Sequence, residues 1–255
     1  MMTGIGVATI LCQVIAFFLL LKKIIKSKTI KLITLKYFYP NFLFLKKIFY
    51  QSAPISAALF MISVGNFIIL AYISRFGEPS VAGYGSATRF EQILLLPVLG
   101  LNTAIISIVG QNFGAKEYLR VKESYFQAIT YGTIIMVIAG TTIFFIAEWI
   151  VRLFTNDVVV MNYGISYLKI SALIFPAYPI YFISNGFFMA LKKASYAMNL
   201  NIIRNIFLPV PTIFFSNFIG GTYKSFFWSY CLFNWIFAAF LLIFVISYIK
   251  KKLHF

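Results

Sequence analysis

Of the six acidic residues in the 255-residue chain, Glu91 alone lies well inside an apolar run, and it is the residue whose type and setting could do chemistry. It belongs to the stretch YGSATRFEQILLLPVLGLNTAIISIVGQNFGA, residues 84–115, with Arg89, Gln92, Asn102, Gln111 and Asn112 in the same run. A central Asp, Lys or Arg costs roughly 2.5–3.5 kcal/mol on membrane-insertion scales, so charged residues at lipid depth face a bundle interior or a watery cavity. A carboxyl placed there can take up and release a proton or an organic cation as water reaches it first from one side and then from the other. The other reading is a structural hydrogen bond or ion pair that fixes helix packing. Arg89 is two positions away, on another helical face, so a charged partner would come from elsewhere, Lys169 or Arg204. Gln92, Asn66, Asn102 and Tyr178 are the other side chains expected along a solute or ion path.

No hydrolytic or redox constellation accompanies Glu91. The sequence holds no GxSxG, HExxH or Walker A motif and no cluster of aspartates, and acid–base or covalent catalysis needs groups in pairs or triples. Cys12 and Cys231 stand far apart without CxxC or Cys/His spacing, so neither a disulfide framework nor a metal site is expected. The single histidine, His254, is the penultimate residue of a basic tail. The expectation is a protein that is not an enzyme and carries no cofactor.

The elements that must position Glu91 are membrane helices. Hydrophobic residues make up 61% of the chain and charged residues 11%, against about 45–50% and about 25% in soluble domains. The apolar runs are continuous, unlike the short alternating segments of a membrane barrel. With about 20 residues per span, about seven helices are expected, at 3–21, 48–73, 84–110, 125–149, 163–191, 196–215 and 226–249. The first run has no basic residues before it and lysines after it, the reverse of a signal peptide. Proline removes a backbone donor and clashes with the preceding turn. Pro97 and Gly100 are therefore expected to bend the third helix, Pro176 and Pro179 to interrupt the fifth, and Pro209 with Pro211 the sixth. Broken helices of this kind border the solute site in many transporters.

A formal net charge of +16 would point to nucleic acid in a soluble protein. Here most of the basic residues flank apolar runs, where they set topology and meet anionic lipid, so no nucleic-acid partner is expected. Eight lysines and no acid lie between Lys22 and Lys47, and their interleaving with apolar residues fits a stretch on the membrane surface. Lysine and arginine accumulate in cytoplasmic loops. Placing the N-terminus outside puts that loop, Lys116, Arg120, Lys122, Lys192, Lys193 and Lys250 to Lys252 inside, against Arg75, Arg152 and Lys224 outside. The C-terminus is then cytoplasmic. The chain divides as one helix (1–21), a basic loop (22–47), a six-helix lobe (48–249) and a basic tail (250–255).

Pro54, Gly65 and Asn66, followed by Arg89, Glu91, Gln92, Pro97, Gly100 and the VGQNFGA run ending at Ala115, carry a resemblance. Over roughly 48–249 the chain resembles the C-terminal lobe of multidrug and toxic compound extrusion (MATE) transporters. That resemblance implies a two-lobe antiporter of the plasma (inner) membrane, in which Na⁺ or H⁺ drives export of organic cations and other drug-like solutes. It also implies that the first helix is similar to the family's sixth, that the N-terminal lobe is missing, and that Glu91 matches an acidic position of the family. Carboxylates that some members carry elsewhere are replaced here by Ile62, Ser63, Asn66 and Tyr178. Alternating access needs two repeats, so a separate N-terminal lobe or a second copy is the expected partner. A flippase of lipid-linked saccharides, and a non-transporting remnant or accessory membrane subunit, are the alternatives.

Overall fold

The computed structural model describes residues 2–26 and 42–252. Its elements are helices throughout: α1 (Met2–Lys26), α2 (Phe42–Ile73), α3 (Glu78–Gly114), α4 (Tyr118–Arg152), α5 (Val158–Ala172), α6 (Tyr178–Ala190), α7 (Ala194–Ile202), α8 (Pro209–Phe218) and α9 (Tyr223–Lys252). Among the described residues, α2, α3, α4 and α9 are long and apolar enough to cross a membrane, and α5 with α6 is so as a pair bent by 45°. Helix α1 and the run from α7 to α8 occupy the first and sixth expected segments. The chain is an all-α integral membrane protein.

The helices outrun the apolar stretches that mark them, because i→i−4 bonding continues into the polar interface where hydropathy has already fallen. α1 reaches Lys26 and α2 begins at Phe42, so both edges of the expected 22–47 loop are helical, and α9 continues to Lys252 in the expected tail. Residues 27–41, where the surface stretch was expected, and His254 lie outside the described residues. A boundary between Phe49 and Tyr50 divides the chain into two compact units. In the first, α1 exposes Leu11, Phe17, Phe18 and Leu20, as a lipid-facing helix does.

In the second unit α3 packs on α4, α5 and α6, while α9 packs on α5, α6 and α8. One apolar cluster gathers Val98, Met136, Ile143, Phe175 and Phe226, and another gathers Val109, Tyr125, Ile183, Phe187 and Leu241. The proline break between α5 and α6 has a full local account. Pro176 offers no N–H to the Ala172 carbonyl, and the chain tightens into a 3₁₀ turn over Phe175–Ala177. Ala177 N then bonds to Ile174 O at 2.9 Å, which leaves the Leu173 carbonyl without its helical donor. Trp235 Nε1 donates to that carbonyl at 3.0 Å. Two glycines of α4 let the broken span in: a Cβ at Gly140 would meet the Ala172 carbonyl at 2.6 Å, and one at Gly132 would meet Pro179 at 2.9 Å.

α3 passes Pro97 and Gly100 as one unbroken helix, and both residues are exposed. Pro209 is the first residue of α8, after a π-helical turn over Ile203–Phe207. The left-handed position after α3 falls on Lys116, whose φ is 62°. Glu117 N bonds to Asn112 O and Lys116 N to Phe113 O, the Schellman pattern of a helix C-terminus. The end of α6 repeats it, with Lys192 at φ 58° and Lys193 N bonded to Phe188 O.

The fit at the break gives a test. Gly140→Ala forces backbone apart and lowers the melting temperature of the purified protein, whereas Gly85→Ala, with nothing within 4 Å, stabilises α3 by about 0.5–1 kcal/mol. Equal melting temperatures for the two variants would contradict this account of the break.

Candidate functional site

Within the second unit, a cavity of about 300 Å³ lies among α2, α3, α5, α6, α9 and the π turn. α3 contributes Tyr84, Thr88, Glu91, Gln92 and Leu95, whose spacing forms one helical stripe. Glu91 is buried and accepts hydrogen bonds from Tyr167 on α5 and, at 2.6 Å, from Tyr178 on α6. On a straight helix those tyrosines would stand about 16 Å apart along the axis. The bend between α5 and α6, with the reach of two phenol arms, brings both hydroxyls to one carboxylate. Tyr84, Tyr167 and Phe227 wall this side, with Tyr84 edge-on to Tyr167 at 4.9 Å and Tyr167 edge-on to Phe227 at 4.8 Å.

The opposite wall is set by the π turn. Pro209 removes the donor that would have bonded the Asn205 carbonyl. On α2, a Cβ at Gly65 would meet that carbonyl at 2.5 Å, so only glycine admits the contact. The turn presents Arg204, whose guanidinium stands 4.0 Å from the Tyr181 ring centroid, 5.0 Å from Tyr178 and 5.4 Å from Phe182. Aromatic faces stabilise such a cation by about 0.5–2 kcal/mol each, more as it is desolvated. Tyr181 in turn donates to Asn201 Oδ1 at 2.6 Å.

The cavity brings together Glu91, Gln92, Asn66 and Tyr178. Asn102 stands apart from them. It lines a second cavity of about 240 Å³ with Pro54, Ala58 and Met198, and its Oδ1 is buried against Gly186 without a hydrogen-bond partner among the described residues. The two cavities share Ile62 and Phe182. Pro97, Gly100, Pro176, Pro179 and Pro209 line neither. Lys169 is not the partner of Glu91; it lies over the Phe144 ring at 5.9 Å. Arg204 shares the cavity with Glu91, and among the described residues the one ion pair within 4.0 Å is Arg152–Glu148. Asn201, Asn205 and Asn234 turn to their own backbone, each donating four residues back. Tyr84, Tyr167 and Tyr230 were not foreseen, because a tyrosine in an apolar run carries no mark of the direction it faces. Among the described residues no group of three His, Cys, Asp or Glu side chains could hold a metal ion.

The profile of the MatE family matches residues 54–215. Over 237 residues the chain is 28% identical to "Probable multidrug resistance protein YpnP" of Bacillus subtilis, covering 89% of this chain and 52% of that protein. It is 22% identical over 218 residues to the multidrug export protein MepA of Staphylococcus aureus, covering 86% and 48%. A solved outward-facing multidrug resistance MATE family transporter of the MOP superfamily shares the fold, with a TM-score of 0.78 at 23% identity over 86% of this chain and 50% of that one. The chain spans about half the length of these curated relatives.

The clasp on Glu91 sets a second expectation. Tyr167→Phe leaves one carboxylate oxygen without its donor and costs about 1–3 kcal/mol of stability, read by chemical or thermal denaturation. In a Glu91→Gln background the same change costs less; equal cost in both backgrounds would remove the clasp as the source.

Proposed function

The chain belongs to the MatE family, and from that membership we propose that it acts as the C-terminal lobe of a secondary transporter that exports drug-like organic solutes in exchange for H⁺ or Na⁺. One observation carries the reading. Glu91, a carboxylate inside an apolar bundle, lines an internal cavity and is held by two phenols from opposite sides of a broken span.

The chemistry follows from competition for two oxygens. A proton on Glu91 turns one acceptor oxygen into a donor, and a sodium ion draws on the same lone pairs, so either displaces a phenol. Tyr167 and Tyr178 stand on α5 and α6, so displacing one changes the tie across the 45° break between them. Ion occupancy is thereby linked to the angle of a span that borders the solute cavity, and a transporter uses that linkage to alternate access. Gln92 and Asn66 supply neutral polar contacts beside the carboxylate, and the aromatic walls suit flat organic solutes.

A single lobe provides one wall of an alternating pathway, so the working unit pairs this lobe with a separate N-terminal lobe or a second copy. Its place is the plasma (inner) membrane, with the N-terminus outside and the C-terminus among the cytoplasmic lysines. The relatives are named for multidrug resistance and export, which favours solute export over enzymatic work.

In proteoliposomes that contain the lobe with its partner, a proton or sodium gradient drives ethidium efflux, and Glu91→Gln reduces the gradient-dependent rate by at least roughly tenfold, the scale of one lost charged contact. Coupling that survives the substitution unchanged would assign Glu91 to packing alone.

A further inference from the structure

We propose that the cavity receives an organic oxyanion, a carboxylate or phosphate carried on an aromatic body, with Arg204 as its charge partner. The proposal deepens the reading of this cavity as a solute site and rests on it.

The two charges that face the cavity are not equally available. Each oxygen of Glu91 already accepts a phenol, from Tyr167 and Tyr178. Arg204 lies over aromatic faces, 4.0 Å from the Tyr181 ring centroid, while the Tyr181 hydroxyl proton is committed to Asn201. No carboxylate among the described residues lies within 4.0 Å of Arg204. A guanidinium carries five N–H donors in a planar fork, and contact with ring faces uses none of them. That fork matches the paired oxygens of a carboxylate or phosphate.

The rest of the wall agrees with that hook. The amides of Asn66 and Gln92 and the hydroxyl of Tyr84 line the same cavity, and none forms a hydrogen bond with the described residues. Tyr84, Phe227 and Tyr230 offer ring faces for a flat body. A volume of about 300 Å³ falls at the small end of organic ligand sites, about 300–1,000 Å³, and fits a bicyclic acid. The π turn that carries Arg204 is an irregularity often found at ligand sites, and Gly65 makes room for its carbonyl. A guanidinium held at lipid depth without an ion pair is costly unless a ligand or water answers it.

The test is equilibrium binding to the purified full chain in nanodiscs of phosphatidylcholine, with no ion gradient, so its outcome is separate from that of the efflux assay. Three probes share one ring system: 1-naphthoate, the neutral 1-naphthalenemethanol and the cationic (1-naphthylmethyl)trimethylammonium. Naphthoate is expected to bind roughly tenfold more tightly than the neutral probe, as one charge-assisted contact implies. R204Q abolishes that preference and R204K keeps part of it. Size-exclusion profile and melting temperature report whether the variants fold, and the comparison of probes on the unaltered chain stands without them. Repeating the measurement with phosphatidylglycerol in the discs separates two sources of the oxyanion. Competition that R204Q removes assigns the site to a lipid headgroup, and its absence assigns it to a solute from water; both support the proposal. Naphthoate binding no tighter than the neutral probe, or equal in the unaltered chain and R204Q, overturns it.

Discussion

A carboxylate held by two phenols from opposite sides of a helix break is the interaction on which the described lobe depends. Tyr167 and Tyr178 reach Glu91 only because α5 and α6 meet at a bend. The bend exists because Pro176 withholds a donor, Trp235 answers the freed Leu173 carbonyl, and Gly140 and Gly132 give α5 and α6 room against α4. Each of these is a local backbone matter that would be too costly at lipid depth if left unmet. Their combined result is a charged centre inside a bundle whose buried side chains are mainly Phe, Ile, Val, Leu, Ala and Tyr, with scattered polar groups such as Ser184 and Thr212.

The facing wall follows the same rule with different parts. Pro209 frees the Asn205 carbonyl, the chain relaxes into a π turn, and Gly65 of α2 accepts that carbonyl at close range. The displaced turn carries Arg204 into the aromatic pocket formed by Tyr178, Tyr181 and Phe182. Tyr178 therefore serves both walls, donating its hydroxyl to the anion and offering its face to the cation. Opposite charges are held apart in one cavity by a shared ring, the carboxylate closed by its two phenols and the guanidinium lying over ring faces.

Much of this was legible in the sequence, for reasons that differ by residue. Glu91 declared itself because a lone carboxylate in an apolar run has few affordable places to sit, and its stripe with Gln92 followed from helical period. Pro176 and Pro179 announced a break, since proline acts on backbone regardless of tertiary context. Pro97, expected to bend α3, lies inside a helix that runs on past it, with Pro97 and Gly100 both exposed. The partners of Glu91 were misread as Lys169 or Arg204, because charge suggests charge while phenols satisfy a carboxylate without any ionic signal. Asn102 fell into the second cavity, since a shared helix does not confer a shared depth. The αL positions at Lys116 and Lys192 were also hidden, since a lysine gives no sign in the sequence of a positive φ.

Those two lysine corners have a mechanical consequence. α3 joins α4 through residues 115–117, and α6 joins α7 through residues 191–193, with backbone bonds closing both corners. Connections this short and this fully bonded have little slack, so neighbouring rods cannot swing at their ends. The rods themselves are irregular at the 3₁₀ turn of Phe175–Ala177 and the π turn of Ile203–Phe207. Bonded corners at the helix ends and irregular turns within the rods place the departures from regular helix beside Tyr178 and Arg204.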